Sequence, residues 1–165
     1  MAERDGVDLI LEQWRQERPE LDSSPIAVVG RISRLARALE ARLEPVYREH
    51  GLEGGLYDLL ATLRRSGPPY RLRPSELTGT LMLTSSGTTK RLDRLEQAGL
   101  IERTPDPDDR RGVLITLTEA GRERIDATTE AHLANERRLL GSLTDAERGE
   151  LADLLRKLQL GISQR

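Results

Sequence analysis

Apolar side chains recur along this chain at helical spacing almost throughout, and only between Gly99 and Thr118 does the period switch to two. The switch confines the fold to a mainly α class with one small β-hairpin. Ahead of it, Val7, Ile10, Leu11 and Trp14 mark a first helix from Asp5 to about Arg18, which Pro19 ends. Beyond a polar link, Glu20 to Ser24, a second helix begins near Pro25 and carries Val28, Ile32, Leu35, Leu39, Leu43 and Val46 on one stripe. Pro45 falls inside that stripe and predicts a kink or a break.

Gly51 stops the second helix, and Leu56, Leu59, Leu60 and Leu63 form the inward face of a third, closed by Gly67-Pro68-Pro69. A short helix opens at Arg73-Pro74-Ser75-Glu76-Leu77. A longer one, introduced by Leu83-Thr84-Ser85-Ser86, carries Leu92 and Leu95 to Gly99, a C-terminal glycine. Two helices joined so closely make a helix-turn-helix. Leu100 to Thr104 and Val113 to Leu117 then read as strands, with Pro105-Asp106-Pro107-Asp108-Asp109-Arg110-Arg111 as the charged turn of a hairpin. Thr118 caps a helix running to about Leu140. Thr144 and Glu147 form a capping box for the last one, whose stripe is Leu151, Leu155, Leu158 and Ile162.

Composition narrows the chemistry. The 29 leucines and the absence of phenylalanine call for an aliphatic, helix-built core, and no apolar run is long enough for a membrane span. With no cysteine there is no disulfide, thiolate nucleophile or thiol-based sensor. His50 and His132 stand apart without a motif and read as ordinary surface or helix-end residues, so no metal and no cofactor is expected. No basic n-region precedes an apolar block at the N-terminus, which makes the cytoplasm the expected location. The net charge of −2 conceals an asymmetry: Arg64 to Arg111 holds 10 basic and 7 acidic residues, a local excess of +3, against −5 elsewhere. A central surface that meets nucleic acid fits that distribution.

The second helix of the helix-turn-helix puts Ser85, Ser86, Thr88 and Thr89 near its N-terminus and Lys90, Arg91 and Arg94 further along. Backbone N–H groups and hydroxyls at such an end bond phosphates and base edges, and the cations add attraction. An N-capped surface helix has the same residue types. The hairpin beside it favours the DNA reading, since Arg110 and Arg111 at its tip are suited to a narrow minor groove and Asp109 can orient Arg111. A solvated polar turn is the plain alternative.

Leu100-Ile101-Glu102-Arg103, then Asp106-Pro107-Asp108-Asp109-Arg110-Arg111, then Ile115-Thr116-Leu117-Thr118-Glu119-Ala120-Gly121 resembles the wing of MarR-family transcriptional regulators. The resemblance covers the chain from about Pro25 onward. It implies a winged helix-turn-helix with N- and C-terminal dimerisation helices, and a homodimer on a palindromic double-stranded operator, released by a small anionic or phenolic ligand. The implied division is 1–52 for dimerisation and the roof of a ligand site, 53–118 for the DNA-binding lobe, and 119–165 for further dimerisation helices.

Asp58 interrupts an apolar run, where a carboxylate is costly without a cation; Arg103 and Arg91 are the candidates. Trp14 either stacks on a planar ligand or packs a dimer. Together Trp14, Asp58, Arg91 and Arg103 resemble the pattern of the urate-responsive branch of the family, which also carries an added N-terminal helix. That resemblance implies that Trp14 and Arg91 hold an anionic purine while Asp58 and Arg103 form a charge pair that the ligand disturbs. The expected protein is therefore a repressor released by urate or a related anionic aromatic metabolite. A relative answering to a phenolic or carboxylate ligand, and a winged-helix adaptor that binds protein rather than DNA, are the alternatives. An enzyme is not expected: no Ser-His-Asp set, phosphate-binding glycine loop or metal-ligand cluster is present in the sequence.

Overall fold

The computed structural model of the protein describes residues 3–53, 55–80 and 85–163, and within these the side chains of all but residues 78–80, 85, 86, 110 and 111. The element order is α1 (Gly6–Glu17), α2 (Ile26–Glu49), α3 (Leu56–Arg65), β1 (Arg71–Leu72), α4 (Pro74–Thr80), α5 (Ser85–Gln97), β2 (Ile101–Asp106), β3 (Asp109–Leu117), α6 (Glu119–Leu139) and α7 (Asp145–Ser163). Two compact units divide at Arg42 and Leu43, one turn before Pro45. Helix α2 runs on through Pro45, so the expected break does not interrupt its helical course.

In the first unit, Asp5 caps α1 by accepting from the N–H groups of Val7 and Asp8, and Asp8 returns a bond to the N–H of Asp5. Both carboxylates also accept from Arg31 of α2, at 2.8 Å from Nε to Asp5 and from Nη2 to Asp8. Val7 and Leu11 are buried beneath that polar seam. The α2 stripe behaves differently. Val28, Ile32 and Leu35 are exposed, and α2 buries no residue at all.

The second unit contains the main core: Leu52, Leu56, Leu59, Leu60, Leu63, Leu77, Leu92, Leu95, Leu100, Ile101, Ile115, Leu117 and Ile125, with Tyr57. Helical spacing places the expected leucines of α3 and α5 there. Each such side chain removed from water contributes about 1.5–3 kcal/mol. Gly99, at φ +70°, turns the chain out of α5, and the N–H of Leu100 donates to the Leu95 carbonyl, closing the helix end as its glycine predicts. Residues 81–84, which include the start of the expected Leu83-Thr84-Ser85-Ser86 entry, lie outside the described residues.

The sheet is three-stranded and antiparallel in the order β1-β3-β2. Its third strand was not expected: Arg71 and Leu72 pair with Thr116 and Ile115, and two residues are too few to show a period. The hairpin is also longer than its apolar alternation implies. Pro105 pairs with Val113, and Asp106 pairs with Asp109 across a register shift, so most of the expected turn is strand.

Thr118 caps α6 as expected, its hydroxyl accepting from the N–H of Gly121 at 3.0 Å and donating to the Gly99 carbonyl at 2.8 Å. The Thr144–Glu147 box likewise forms at the start of α7. Helix α7 buries none of its residues, and Leu151, Leu154, Leu155, Leu158 and Ile162 face outward. Among the described residues no helix is long and apolar enough to cross a membrane.

Gly121 sets how closely α6 approaches the sheet. A Cβ there would lie 2.0 Å from the Leu100 carbonyl oxygen and 2.8 Å from Leu117 Cδ1. The obstacle is backbone and cannot swing aside. Gly121→Ala is therefore expected to destabilise the fold by about 1–3 kcal/mol despite the better helix propensity of alanine, read as a lower thermal midpoint.

Candidate nucleic-acid interface

Helix α5 presents Thr89 and Lys90 to solvent, as their sequence pattern predicts, and Arg94 is about half exposed. Thr88 does not join them. It shares a helical face with Leu92 and Leu95, so burial of those leucines carries it inward, where it is 3% exposed and its hydroxyl has no hydrogen-bond partner. The expectation that Thr88 meets DNA is corrected accordingly. Ser85 and Ser86 form the first turn of α5, but their side chains lie outside the described residues. Arg94 donates from Nη2 to Glu53 at 3.1 Å, which ties the outer face of α5 to the segment preceding α3.

The tip of the β2–β3 hairpin is organised by a residue that sequence reasoning left unassigned. Asp106 is 4% exposed; it accepts from Arg73 Nε at 2.6 Å and from the N–H of Asp108 at 2.9 Å. Those bonds, Arg73 first, hold its carboxyl below the ordinary aspartate range. Arg73 immediately precedes α4, and its own N–H donates to Glu76 at 2.7 Å. One buried carboxylate thus joins the hairpin turn to the start of the helix-turn-helix. Its sequence signal was the Asp106-Pro107-Asp108 spacing, in which an aspartate accepts from the N–H two residues on. Asp109 is exposed at the first position of β3; Arg110 and Arg111 follow it on the strand, with side chains outside the described residues.

Arg103 joins the same assembly from the other edge. From β2 it donates to Asp93 at 2.6 Å and to Glu96 at 2.5 Å, both on α5. The expected pairing of Arg103 with Asp58 is replaced by these two bonds. Asp58 stands in the first turn of α3, open to water on its outer side rather than enclosed in the apolar run, because the inward positions of that turn belong to Leu56, Tyr57, Leu59 and Leu60. The protein packed around its carboxyl still raises the pKa, against the pull of Arg65, His132 and Arg91. Of the two cations expected from the sequence, Arg91 rather than Arg103 acts on Asp58, after Arg65 and His132.

Tyr47, Tyr57 and His132 make a second cluster that the histidine count alone did not reveal. The tyrosine rings stack at 4.6 Å, Tyr47 Oη lies 3.2 Å from His132 Nδ1, and His132 Nε2 lies 3.2 Å from Glu136. Packing of α6 on α3 leaves His132 partly buried, with its side chain 12% exposed, rather than on the open surface. His50 is partly exposed just beyond α2, as expected. Trp14 lies on α1 and is 42% exposed.

Comparison with known proteins decides the family. The MarR family pattern matches residues 55–113, which hold α3, the helix-turn-helix and most of the hairpin. The HTH-type transcriptional regulator PecS of Dickeya dadantii (strain 3937) is 42% identical over 159 residues, 96% of this chain and 96% of the relative. The chain belongs to the MarR family. Among solved structures, the MarR-family regulator Sco3205 of Streptomyces coelicolor, in complex with DNA, is 27% identical with a TM-score of 0.75 over 86% of this chain and 89% of that one. A MarR variant of Escherichia coli complexed with operator DNA is 26% identical with a TM-score of 0.71, over 84% and 99%.

As a MarR-family member the chain is a DNA-binding transcriptional regulator, not an enzyme, and its hairpin is the wing of a winged helix. In this MarR-family lobe the wing and α5 do not hang separately: Arg73–Asp106 and Arg103–Asp93/Glu96 fix both to the body. Asp106→Asn is expected to lower DNA affinity several-fold with helix content unchanged, measured by duplex titration and circular dichroism. Because the folded pKa of Asp106 is lowered, its contribution is complete at neutral pH and is lost only as pH falls below the ordinary aspartate value of about 3.9.

Proposed function

We propose that the protein is a cytoplasmic repressor that binds a palindromic operator as a homodimer and leaves it when an anionic aromatic metabolite, urate or a related purine, binds. Residues 1–52 and 119–165 supply the dimer contacts, and residues 53–118 read DNA. The outward apolar stripes of α2 and α7 support the dimer: Val28, Ile32 and Leu35 on one, Leu151, Leu154, Leu155, Leu158 and Ile162 on the other. Apolar rows of this length on a soluble protein call for a partner surface. On DNA, Ser85, Ser86, Thr89, Lys90 and Arg94 meet the major groove, and Asp109, Arg110 and Arg111 serve the wing.

One observation carries the ligand reading. Arg91 belongs to α5 and yet reaches the start of α3, where its Nε lies near Gly55 and its charge acts on Asp58. An anion held there by Arg91 pulls on the helix that reads DNA. Arg103 then acts from the wing, through Asp93 and Glu96, rather than as the direct partner of Asp58. The ligand shifts the population only by its differential affinity for the DNA-free arrangement.

The deciding experiment is a gel-shift titration on the intergenic DNA upstream of the protein's own gene, with and without saturating urate. Urate is expected to weaken binding, and identical affinities in the two arms remove it as the ligand. Arg111→Ala is expected to weaken operator binding by about 1–3 kcal/mol without loss of the dimer. Arg91→Ala is expected to blunt the urate response more than the affinity for DNA.

A further inference from the structure

Two glycines from different elements make room for Arg91. Gly87 lies one turn back on α5, and a Cβ there would come within 2.6 Å of Arg91 Nη1 and 3.2 Å of Cζ. Gly55 is the N-cap residue of α3, and a Cβ there would lie 3.1 Å from Arg91 Nε and 3.5 Å from Cζ. The guanidinium therefore occupies a slot whose walls are missing side chains. Real Cβ contacts are not made at 2.6 Å, so any residue but glycine at position 87 swings the flexible end of Arg91, its guanidinium, out of this seat.

The seat is otherwise a poor one. Glycine is among the least favourable residues within a helix, and a cation beside the N-terminus of α3 faces the positive end of its dipole. Gly55 makes no side-chain cap bond there, and Asp58 is the acidic residue of that first turn. The room left by the two glycines admits the guanidinium where the helix field alone disfavours it. Gly55 has φ +83°, which accounts for glycine at that position by backbone conformation alone. Gly87 has no such reason: its φ is outside the left-handed region, and alanine fits its backbone.

We propose that Gly87 is a positioning residue for Arg91: its missing side chain seats the guanidinium against the first turn of α3, which couples whatever binds there to α5. The ligand consequence rests on the reading of Arg91 as the urate contact. The seat itself rests on the contact distances.

The test is a mutant cycle on the full-length protein, with Gly87→Ala, Arg91→Ala and the double variant, and Gly149→Ala as a benchmark. Gly149 lies in α7 with nothing within 4 Å of an added Cβ, so alanine there should raise the thermal midpoint by about 2–4 °C. Gly87→Ala is expected to fall short of that gain when Arg91 is present and to recover it when Arg91 is alanine. In calorimetric titration with urate, Gly87→Ala is expected to weaken binding about tenfold, as for one lost charge-assisted hydrogen bond. Equal stabilisation by Gly87→Ala in both backgrounds overturns the proposal, as does unchanged urate binding in a variant whose parent binds urate. If the parent does not bind urate, the ligand reading fails on its own, and the melting cycle still decides the seat.

Discussion

Arg103 holds the wing and α5 at a fixed angle. Its two guanidinium nitrogens meet Asp93 and Glu96, one turn apart on α5, so a single residue of β2 constrains both the position and the rotation of the helix. Half-exposed ion pairs contribute little net stability individually. Their value here is directional. The core beneath is built from leucine and isoleucine, whose burial is strong but non-directional. Arg73 and Asp106 do the same for the hairpin tip and α4. The two arginine bridges turn three small elements into one surface with a defined shape.

Engagement of Arg103 by α5 changes how the proposed ligand would signal to DNA. Had Arg103 paired with Asp58, a ligand would act by breaking a bond between wing and body. With Arg103 held by Asp93 and Glu96, the route in the proposed reading runs from Asp58 through Arg91 instead, along α5 itself. The raised pKa of Asp58 fits this arrangement. Nearby cations lower it, but among the described residues no direct guanidinium bond of the kind Asp106 receives offsets the cost of packing protein around it.

Much of the fold was legible because its signals are local. Gly99, Thr118 and the Thr144–Glu147 box act within a turn of their own positions, and each terminates or starts a helix as its residue type dictates. The leucines of α3 and α5 were equally plain, since a helical stripe needs only its own spacing to be seen. What escaped depended on partners distant in sequence. Thr88 looked like a surface hydroxyl until the leucines sharing its face drew it inward. Asp106 looked like one of three similar aspartates until the sheet register brought Arg73 to it. His132 gave no sign of the tyrosines that pack around it, and the two residues of β1 are too short to carry a period. The stripes of α2 and α7 were legible as apolar, but a sequence does not state which surface covers them.

The salt dependence of duplex binding by the native protein and by Arg103→Gln tests the bridging role most directly. If Arg103 shapes the interface without touching DNA, the substitution weakens binding by a similar factor at every salt concentration, and the two plots of affinity against salt run parallel. A plot shallower by about one phosphate contact contradicts the account, because it places Arg103 on the DNA backbone rather than between the wing and α5.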